Sequence, residues 1–321
     1  MKASPPSIYS TRDHPFDSQP VPGKATSSLI EKARDLGFVA IGFSPPGRPL
    51  FFNHFCSWIS EGKHGGMEWL ARSVRLRQEP ERLLESCRTV VSLAYPYPLE
   101  KSLTKDGFSV ARYTEPQKED YHKRLGKLGR GLAKEITHEH PGCKTRVCVD
   151  SAPIMERSFA YSSGIGFLGK NNMLIIPGQG SYVFLVEILT TALISENRTK
   201  PMADQCGLCT KCLDACPTGA LEKPFLVDAS RCLSYLTIED PSDVDRETGK
   251  KMGKCFFGCD ICQEVCPFNK EGSLNRPALP STGEILGMGR ERFGEVFGKT
   301  AFGRAGLEKM KSNIRALGSA V

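Results

Sequence analysis

Two cysteine runs carry the most specific chemistry in the chain. The first is Cys206-x-x-Cys209-x-x-Cys212-x-x-x-Cys216-Pro217. The second is Cys259-x-x-Cys262-x-x-x-Cys266-Pro267, with Cys232 between them. Three thiolates from one tight loop cover three corners of a cubane iron–sulfur cluster, and the fourth must come from elsewhere in the chain. Proline after the last cysteine turns the backbone away from the cluster. In two-cluster proteins with this run the fourth cysteine ligates the other cluster. That rule predicts one set of Cys206, Cys209, Cys212 and Cys266, and another of Cys216, Cys232, Cys259 and Cys262. Structural zinc is the alternative, but zinc sites favour paired C-x-x-C knuckles over a triple run ending in C-x-x-x-C-P. Cys56, Cys87, Cys143, Cys148 and Cys255 read as small buried or partly buried residues. Cys255, four residues before Cys259, is the one most easily mistaken for a ligand.

A second pattern lies at residues 162–172, SSGIGFLGKNN. Gly164, Gly166 and Gly169 have the G-x-G-x-x-G spacing of a dinucleotide loop, and Lys170 follows. That loop must leave a strand and open a helix, so that a pyrophosphate meets the helix N-terminus. Here the order is reversed: the preceding APIMERSFAYSS has helical character, and the following MLIIPG reads as a strand. Gly164 then reads as a helix C-cap. A Walker loop fails too, because Asn171 stands where Ser or Thr is needed.

The elements that must hold these residues are those of a globular chain. It has 321 residues, 40% hydrophobic and 25% charged, with 13 cysteines and a net charge of +7. No apolar run approaches the ~18 residues of a membrane span. Residues 1–24 are polar and proline-rich, without an apolar h-region or twin arginines, and read as a flexible leader rather than a signal. Cysteines in such a chain point to metal sites, not disulfides. Ser28 and Glu31 suggest a capping box ahead of a helix ending at Gly37, with FVAIGF as a strand after it. TVVSLAY, TRVCVD and SYVFLVEILTTALI read as strands. Tyr121, Leu125, Leu128, Leu132 and Ile136 mark one helix face, weakened by Gly126, Gly129 and Gly131. Residues 270–321 read as helical fragments broken by glycine. Asp150 ends the TRVCVD strand, where α/β sites gather; from pattern alone a helix N-cap before Ser151 is an equal reading.

DSAPIMERSFAYSSGIGFLGKNNMLII, GSYVFLVEILT, CGLCTKCLDACPTGAL, RCLSYLTIE and FFGCDICQEVCPFN together resemble epoxyqueuosine reductase, with EPERLLES and DYHKRL in support. The similarity runs from about Glu31 to about Leu317. It implies an α+β fold: an α/β corrinoid-binding catalytic domain over 25–200, a ferredoxin-like domain with two 4Fe-4S clusters over 201–270, and a short helical segment over 271–321. It implies reduction of epoxyqueuosine to queuosine in tRNA, with the clusters feeding electrons to cobalamin. Asp150 matches the family's general acid, a role that asks for a pKa raised by burial. Arg77, Asp150, Lys170, Leu174, Leu185 and Asp260 match cofactor-contacting positions, with the glycine-rich loop lining the corrinoid pocket. The absence of a D-x-H-x-x-G motif implies no histidine on the cobalt.

The departures are Val186 where the family has glycine, a longer stretch before DYH, and an end at RALGSAV where many members continue into a helical repeat domain. The last implies a short form whose grip on the RNA rests on Arg72, Arg75 and Arg82, on Lys123, Arg124, Lys127 and Arg130, and on Arg304, Lys309, Lys311 and Arg315. The expected protein is a cytoplasmic monomer served by an electron donor such as a flavodoxin or ferredoxin. A corrinoid reductase of another substrate, such as a reductive dehalogenase, and a non-catalytic two-cluster electron carrier are the rival readings.

Overall fold

The computed structural model describes residues 24–194, 200–270, 272 and 277–318. Residues 1–23 of the expected leader lie outside the described residues. In chain order the first part runs α1 (Lys24–Asp35), β1 (Ala40–Ser44), α2 (Phe52–Ser60), α3 (Glu68–Arg72), α4 (Val74–Gln78), β2 (Thr89–Pro96), β3 (Leu103–Thr104), α5 (Tyr121–Glu139), β4 (Thr145–Cys148), α6 (Glu156–Ser162), β5 (Phe167–Leu168), β6 (Leu174–Ile175) and β7 (Val183–Thr190). The second part runs α7 (Lys211–Asp214), β8 (Leu221–Lys223), β9 (Leu226–Val227), α8 (Leu233–Ile238), α9 (Arg246–Met252), α10 (Ile261–Glu264), β10 (Pro277–Leu279), α11 (Thr282–Leu286), α12 (Arg290–Phe297) and α13 (Phe302–Gly318).

The main sheet has the order β1-β2-β7-β4, and every pairing in it is antiparallel. The first domain is therefore helix-on-sheet of the α+β kind, without the parallel crossovers that an α/β reading brings. Strand period two divides its residues cleanly. Ile41, Val91, Leu93, Val186 and Ile188 pack with Leu29, Leu125, Leu132 and Ile136 of α1 and α5. On the other face Val90, Leu189 and Cys148 pack with Phe159 of α6. Each fully buried Leu, Ile or Val side chain contributes roughly 1.5–3 kcal/mol.

Val186 sits in this core, fully buried, against Gly129 of α5. A Cβ on Gly129 would stand 2.7 Å from Val147 Cγ1 and 3.2 Å from Val186 Cγ1. Gly129, which weakens α5 intrinsically, is thus what lets the helix approach the sheet at Val147 and Val186. The expected capping box at Ser28 and Glu31 does not form, because α1 already begins at Lys24. A complete capping box stands instead at Ser281 and Glu284, starting α11.

The C-terminal helices are not loose fragments. Met310, Ile314 and Leu317 of α13 join Phe256, Phe257 and Leu233 in a second core. Two of the basic residues expected to meet RNA are engaged there: Lys309 Nζ donates to the Ser242 carbonyl at 2.6 Å, and Lys311 Nζ to that of Met288 at 2.7 Å. Lys127 pairs with Glu119, Arg82 with Glu79, and Arg124 with buried Glu115.

Candidate active site

Asp150 lies two residues beyond β4, at φ 46°. Aspartate is among the few non-glycine residues that tolerate the left-handed region. It is not a helix cap, since α6 begins six residues later with Met155 at the N-cap. Its N–H donates to Glu156 Oε1 at 2.6 Å. The turn presents the carboxylate to the start of α5. There Tyr121 donates its hydroxyl to Asp150 Oδ2 at 2.8 Å, and His122 Nε2 stands 2.7 Å from the same oxygen.

Asp120 prepares this arrangement. As N-cap of α5, its Oδ1 accepts the His122 N–H at 2.8 Å and meets His122 Nδ1 at 2.7 Å. The imidazole is held between two carboxylates, one fixing the ring and the other facing the site. Tyr121 stacks on Phe184 at 4.5 Å between centroids, and on His122 at 4.1 Å. Arg304 of α13 completes the site, with Nη1 3.7 Å from Asp150 Oδ2 and Nη2 2.8 Å from Glu239 Oε1.

The charges follow from this geometry. Burial works against the His122 cation, but the hydrogen bonds and charges of Asp120 and Asp150 outweigh it and raise its pKa to about 9. For Asp150 the surrounding protein pushes the carboxyl up, yet the His122 and Tyr121 hydrogen bonds, with Arg304, hold it below the usual carboxylate range. This differs from the raised pKa expected of a general acid. The raised His122 and lowered Asp150 favour the proton on His122, one hydrogen bond behind Asp150, because an imidazolium between two carboxylates is better stabilised than a carboxylic acid beside an imidazole. Burial first, then the charge of Asp150, raises Glu156.

The other expected contacts fall into three places. Arg77 is buried, donating to the Ile154 carbonyl at 3.0 Å, close enough to feel Glu156 and Asp150. Leu174 and Leu185 pack with Ala94, Ala160 and Ile165 under α6. Lys170 reaches the other way: Nζ donates to the Gly207 carbonyl at 2.5 Å and to that of Cys209 at 3.0 Å. Its protein partners are in the first cysteine loop. Asn171 beside it donates Nδ2 to the Cys262 carbonyl at 3.2 Å. The glycines are explained by the β5–β6 hairpin. A Cβ on Gly166 would stand 2.6 Å from the Ile175 carbonyl oxygen, and one on Gly169 2.6 Å from Ile175 Cδ1. Gly164, at φ 72°, follows the end of α6 as a C-cap glycine does. The loop is a clamp on both cysteine runs.

Asp260, 4% exposed, accepts the Arg112 N–H at 2.9 Å and faces Arg112 Nη1 at 3.2 Å. It ties the second cysteine loop to the stretch leading into α5. From there a row of rings runs to the active site: Tyr182, Tyr97, Phe184 and Tyr121, with centroids 5.7, 4.9 and 4.5 Å apart in turn.

Charge couples the thiols within the two expected quartets and also between them. Burial raises those of Cys206, Cys212 and Cys266, and charge adds to it: Cys266 acts on Cys206 and Cys212, and Cys209 on Cys212 and Cys266. Burial also raises Cys232, Cys259 and Cys262, with Cys216 acting on Cys232, and Cys232 on Cys259 and Cys262. Cys212 also acts on Cys262, where the quartets adjoin. Among the described residues no three Cys, His, Asp or Glu side chains gather as they would on a single ion. Four spaced thiols suit a cubane, which takes one at each iron. Cys255 instead directs its thiol at the Phe257 and Gly258 carbonyls. The surroundings fit cobalamin: both nitrogens of His122 are engaged by carboxylates, and the ring row, tilted 55–56° from ring to ring between Tyr182 and Phe184, gives an aromatic lining between Asp150 and the second cysteine run.

Sequence reasoning found Asp150 but missed Asp120, Tyr121, His122, Glu239 and Arg304 as its partners. Tyr121 counted only towards an apolar helix face, and nothing in the spacing joins residue 122 to residue 304.

Comparison with known proteins shows the family. A family model described as 4Fe-4S double cluster binding domain matches residues 205–269, and one described as epoxyqueuosine reductase QueG, DUF1730, matches residues 77–151. The epoxyqueuosine reductase of Cyclobacterium marinum is 37% identical over 309 residues, covering 91% of this chain and 96% of that protein. A solved epoxyqueuosine reductase from Bacillus subtilis, with its catalytic aspartate loop swung out of the active site, is 31% identical with a TM-score of 0.77, over 91% of this chain and 80% of that one. A crystal structure of an epoxyqueuosine reductase with an epoxyqueuosine-modified tyrosine tRNA stem loop matches at 31% identity, a TM-score of 0.78 and the same coverages, 91% and 80%. With two thirds of the chain and more aligned at this identity, the protein belongs to the epoxyqueuosine reductase family.

Proposed function

We propose that Asp150 protonates the departing epoxide oxygen, and that His122 supplies its proton, as this chain reduces epoxyqueuosine in tRNA to queuosine. The protein is an epoxyqueuosine reductase, with two 4Fe-4S clusters and cobalamin as its cofactors. The overall change breaks both C–O bonds of the epoxide and forms a carbon–carbon double bond. It consumes two electrons and two protons and releases water.

When bound, cobalamin supplies a low-valent cobalt nucleophile. Cys206, Cys209, Cys212 and Cys266 hold one cluster, and Cys216, Cys232, Cys259 and Cys262 the other. Lys170 and Asn171 brace both cysteine loops against the catalytic domain. Arg77, Leu174, Leu185 and Asp260 stand on the cofactor side of the site, Asp260 by anchoring the second cysteine loop through Arg112. Asp150 sits on the loop between β4 and α6, and an aspartate loop is likewise the catalytic one in the Bacillus subtilis relative. His122 Nε2 passes a proton to Asp150 Oδ2, and Asp150 delivers it to the oxygen. Asp120 stabilises the His122 cation and fixes its ring. Tyr121 stays protonated, because burial and the Asp150 charge raise its pKa, and it orients the carboxylate. The observation that carries this reading is the meeting of His122 and Tyr121 on one Asp150 oxygen, at 2.7 and 2.8 Å.

The same proposal divides the chain into a catalytic domain over 25–200, a cluster domain over 201–270 and a helical segment over 271–321. It takes a flavodoxin or ferredoxin as electron donor and a monomer in the cytoplasm as the working form. No described helix is long and apolar enough to cross a membrane. The test is to incubate anaerobic holoenzyme with epoxyqueuosine-containing tRNA and a strong reductant, then digest the RNA. Queuosine is the expected nucleoside; its absence with both clusters and cobalamin present overturns the assignment.

A further inference from the structure

At the mouth of the Asp150 site stands a side chain that the proton pathway does not use. Trp69 of α3 is 40% exposed, and it is the one exposed aromatic among the described residues. The other tryptophan, Trp58, is half-buried and donates its indole N–H to the Val227 carbonyl at 2.6 Å. A part-exposed indole at the edge of an active site offers a broad, rigid aromatic surface with a polar N–H, of the kind that takes a flat ligand.

Its neighbour is Arg304. The guanidinium carbon lies 5.9 Å from the Trp69 ring centroid. The same guanidinium is 3.7 Å from the Asp150 carboxylate and 2.8 Å from Glu239 Oε1. Arg304 and Asp150 are each 44% exposed in their side chains. Trp69, Arg304 and Asp150 therefore form one continuous open edge: an aromatic face, a planar cation and the acid. The parts come from separate elements. Trp69 rides on a short helix after the glycine turn at Gly65 and Gly66, pinned where the Gly66 N–H donates to the Tyr235 hydroxyl at 2.6 Å. Arg304 comes from the first turn of α13, whose backbone kinks at Gly306 with φ 82°.

We propose that Trp69 and Arg304 form a stacking shelf for the heterocyclic base of the RNA substrate, fixing how far its epoxide reaches towards Asp150. The inference rests on the tRNA reading above and adds the residues that take the base. Single-stranded RNA is recognised by splaying bases out of the stack onto aromatic side chains or Arg planes. The shelf supplies both surfaces. Its cation faces the acceptor edges of a base while Glu239 keeps the guanidinium in place. Trp69 lies outside the proton route from Asp120 through His122 to Asp150, so its effect falls on substrate binding.

The test compares Trp69→Ala and Trp69→Phe holoenzymes with wild type in steady-state reduction of epoxyqueuosine tRNA, alongside iron content and cobalamin retention. Stacking is worth ~1–3 kcal/mol per base, so Trp69→Ala should raise KM roughly 10-fold or more with a smaller change in kcat. Trp69→Phe, which keeps a ring, should recover most of the loss. Clusters and cobalamin should be retained in both. An unchanged KM in Trp69→Ala overturns the shelf while wild-type turnover leaves the tRNA reading standing. Loss of cobalamin from Trp69→Ala with normal KM also overturns it, assigning the indole to the corrinoid. No turnover by wild type is instead the failure of the tRNA reading itself.

Discussion

The cysteine runs and the Asp150 site are encoded in opposite ways. The proposed cluster ligands come from two short loops and Cys232, and their spacing with the crossing rule assigns them to two sets. The acid site gathers Asp120, Tyr121, His122, Asp150, Glu239 and Arg304 from four distant stretches of chain. A cluster imposes its own geometry on a loop, so the loop sequence must record it. A proton relay imposes only a few distances of 2.7–2.8 Å, which any fold able to bring the groups together satisfies. The first kind of site is local and legible; the second is a product of tertiary structure.

The two kinds of site should break differently. The largest effects belong to the cysteines. Cys212→Ala and Cys266→Ala should lose the same cluster, and Cys216→Ala and Cys232→Ala the other, each abolishing turnover. Iron analysis and electron paramagnetic resonance of the paired variants check this. Cys212→Ala and Cys216→Ala losing the same cluster would refute the crossed sets.

His122→Gln should lower kcat by roughly 10²-fold, towards the lower end of a general acid–base contribution, with both clusters present. Its pH dependence separates a proton source from a structural part. The His122 pKa is raised from 6.5 to about 9 in the folded protein. Its stabilising contribution is then fully present below 6.5 and is lost as pH rises through about 9. Turnover of the wild type should fall across the same alkaline window, and the fall should vanish from the pH profile of His122→Gln. A profile with the same alkaline limb in both proteins removes His122 from the relay.

The smallest effect joins the two regions. Lys170→Met removes the donor to the Gly207 and Cys209 carbonyls. Two charge-assisted hydrogen bonds are worth roughly 1.5–3 kcal/mol each when buried, less at this partly exposed position. The first cluster should be lost several times faster to a chelator, with little change in kcat at full loading. Unchanged cluster lifetime would return Lys170 to the cofactor side.

Much of the framework was legible. The strands at TVVSLAY and SYVFLVEILT, the long helix after Asp120 and the C-cap at Gly164 all follow from periodicity and turn chemistry. The antiparallel order of the sheet did not, since alternation along a strand says nothing of its neighbours. Gly166 and Gly169 matched a phosphate loop in spacing, but their cause is contact with Ile175 across a hairpin. Lys309 and Lys311 counted as free charge, yet both cap carbonyls inside the C-terminal core. In each case the missing information is a contact made only by the fold, across a hairpin for the glycines and across the C-terminal helices for the lysines. The raised pKa expected at Asp150 failed for the same reason, because His122 was not seen as its neighbour.

The most direct measurement follows queuosine formation and cobalamin reduction together in Asp150→Asn holoenzyme. The amide is nearly isosteric and cannot deliver a proton. The relay predicts cobalamin reduced at the wild-type rate, with queuosine formation slowed ~10²–10⁴-fold. Queuosine formed at near wild-type rate by Asp150→Asn would contradict it.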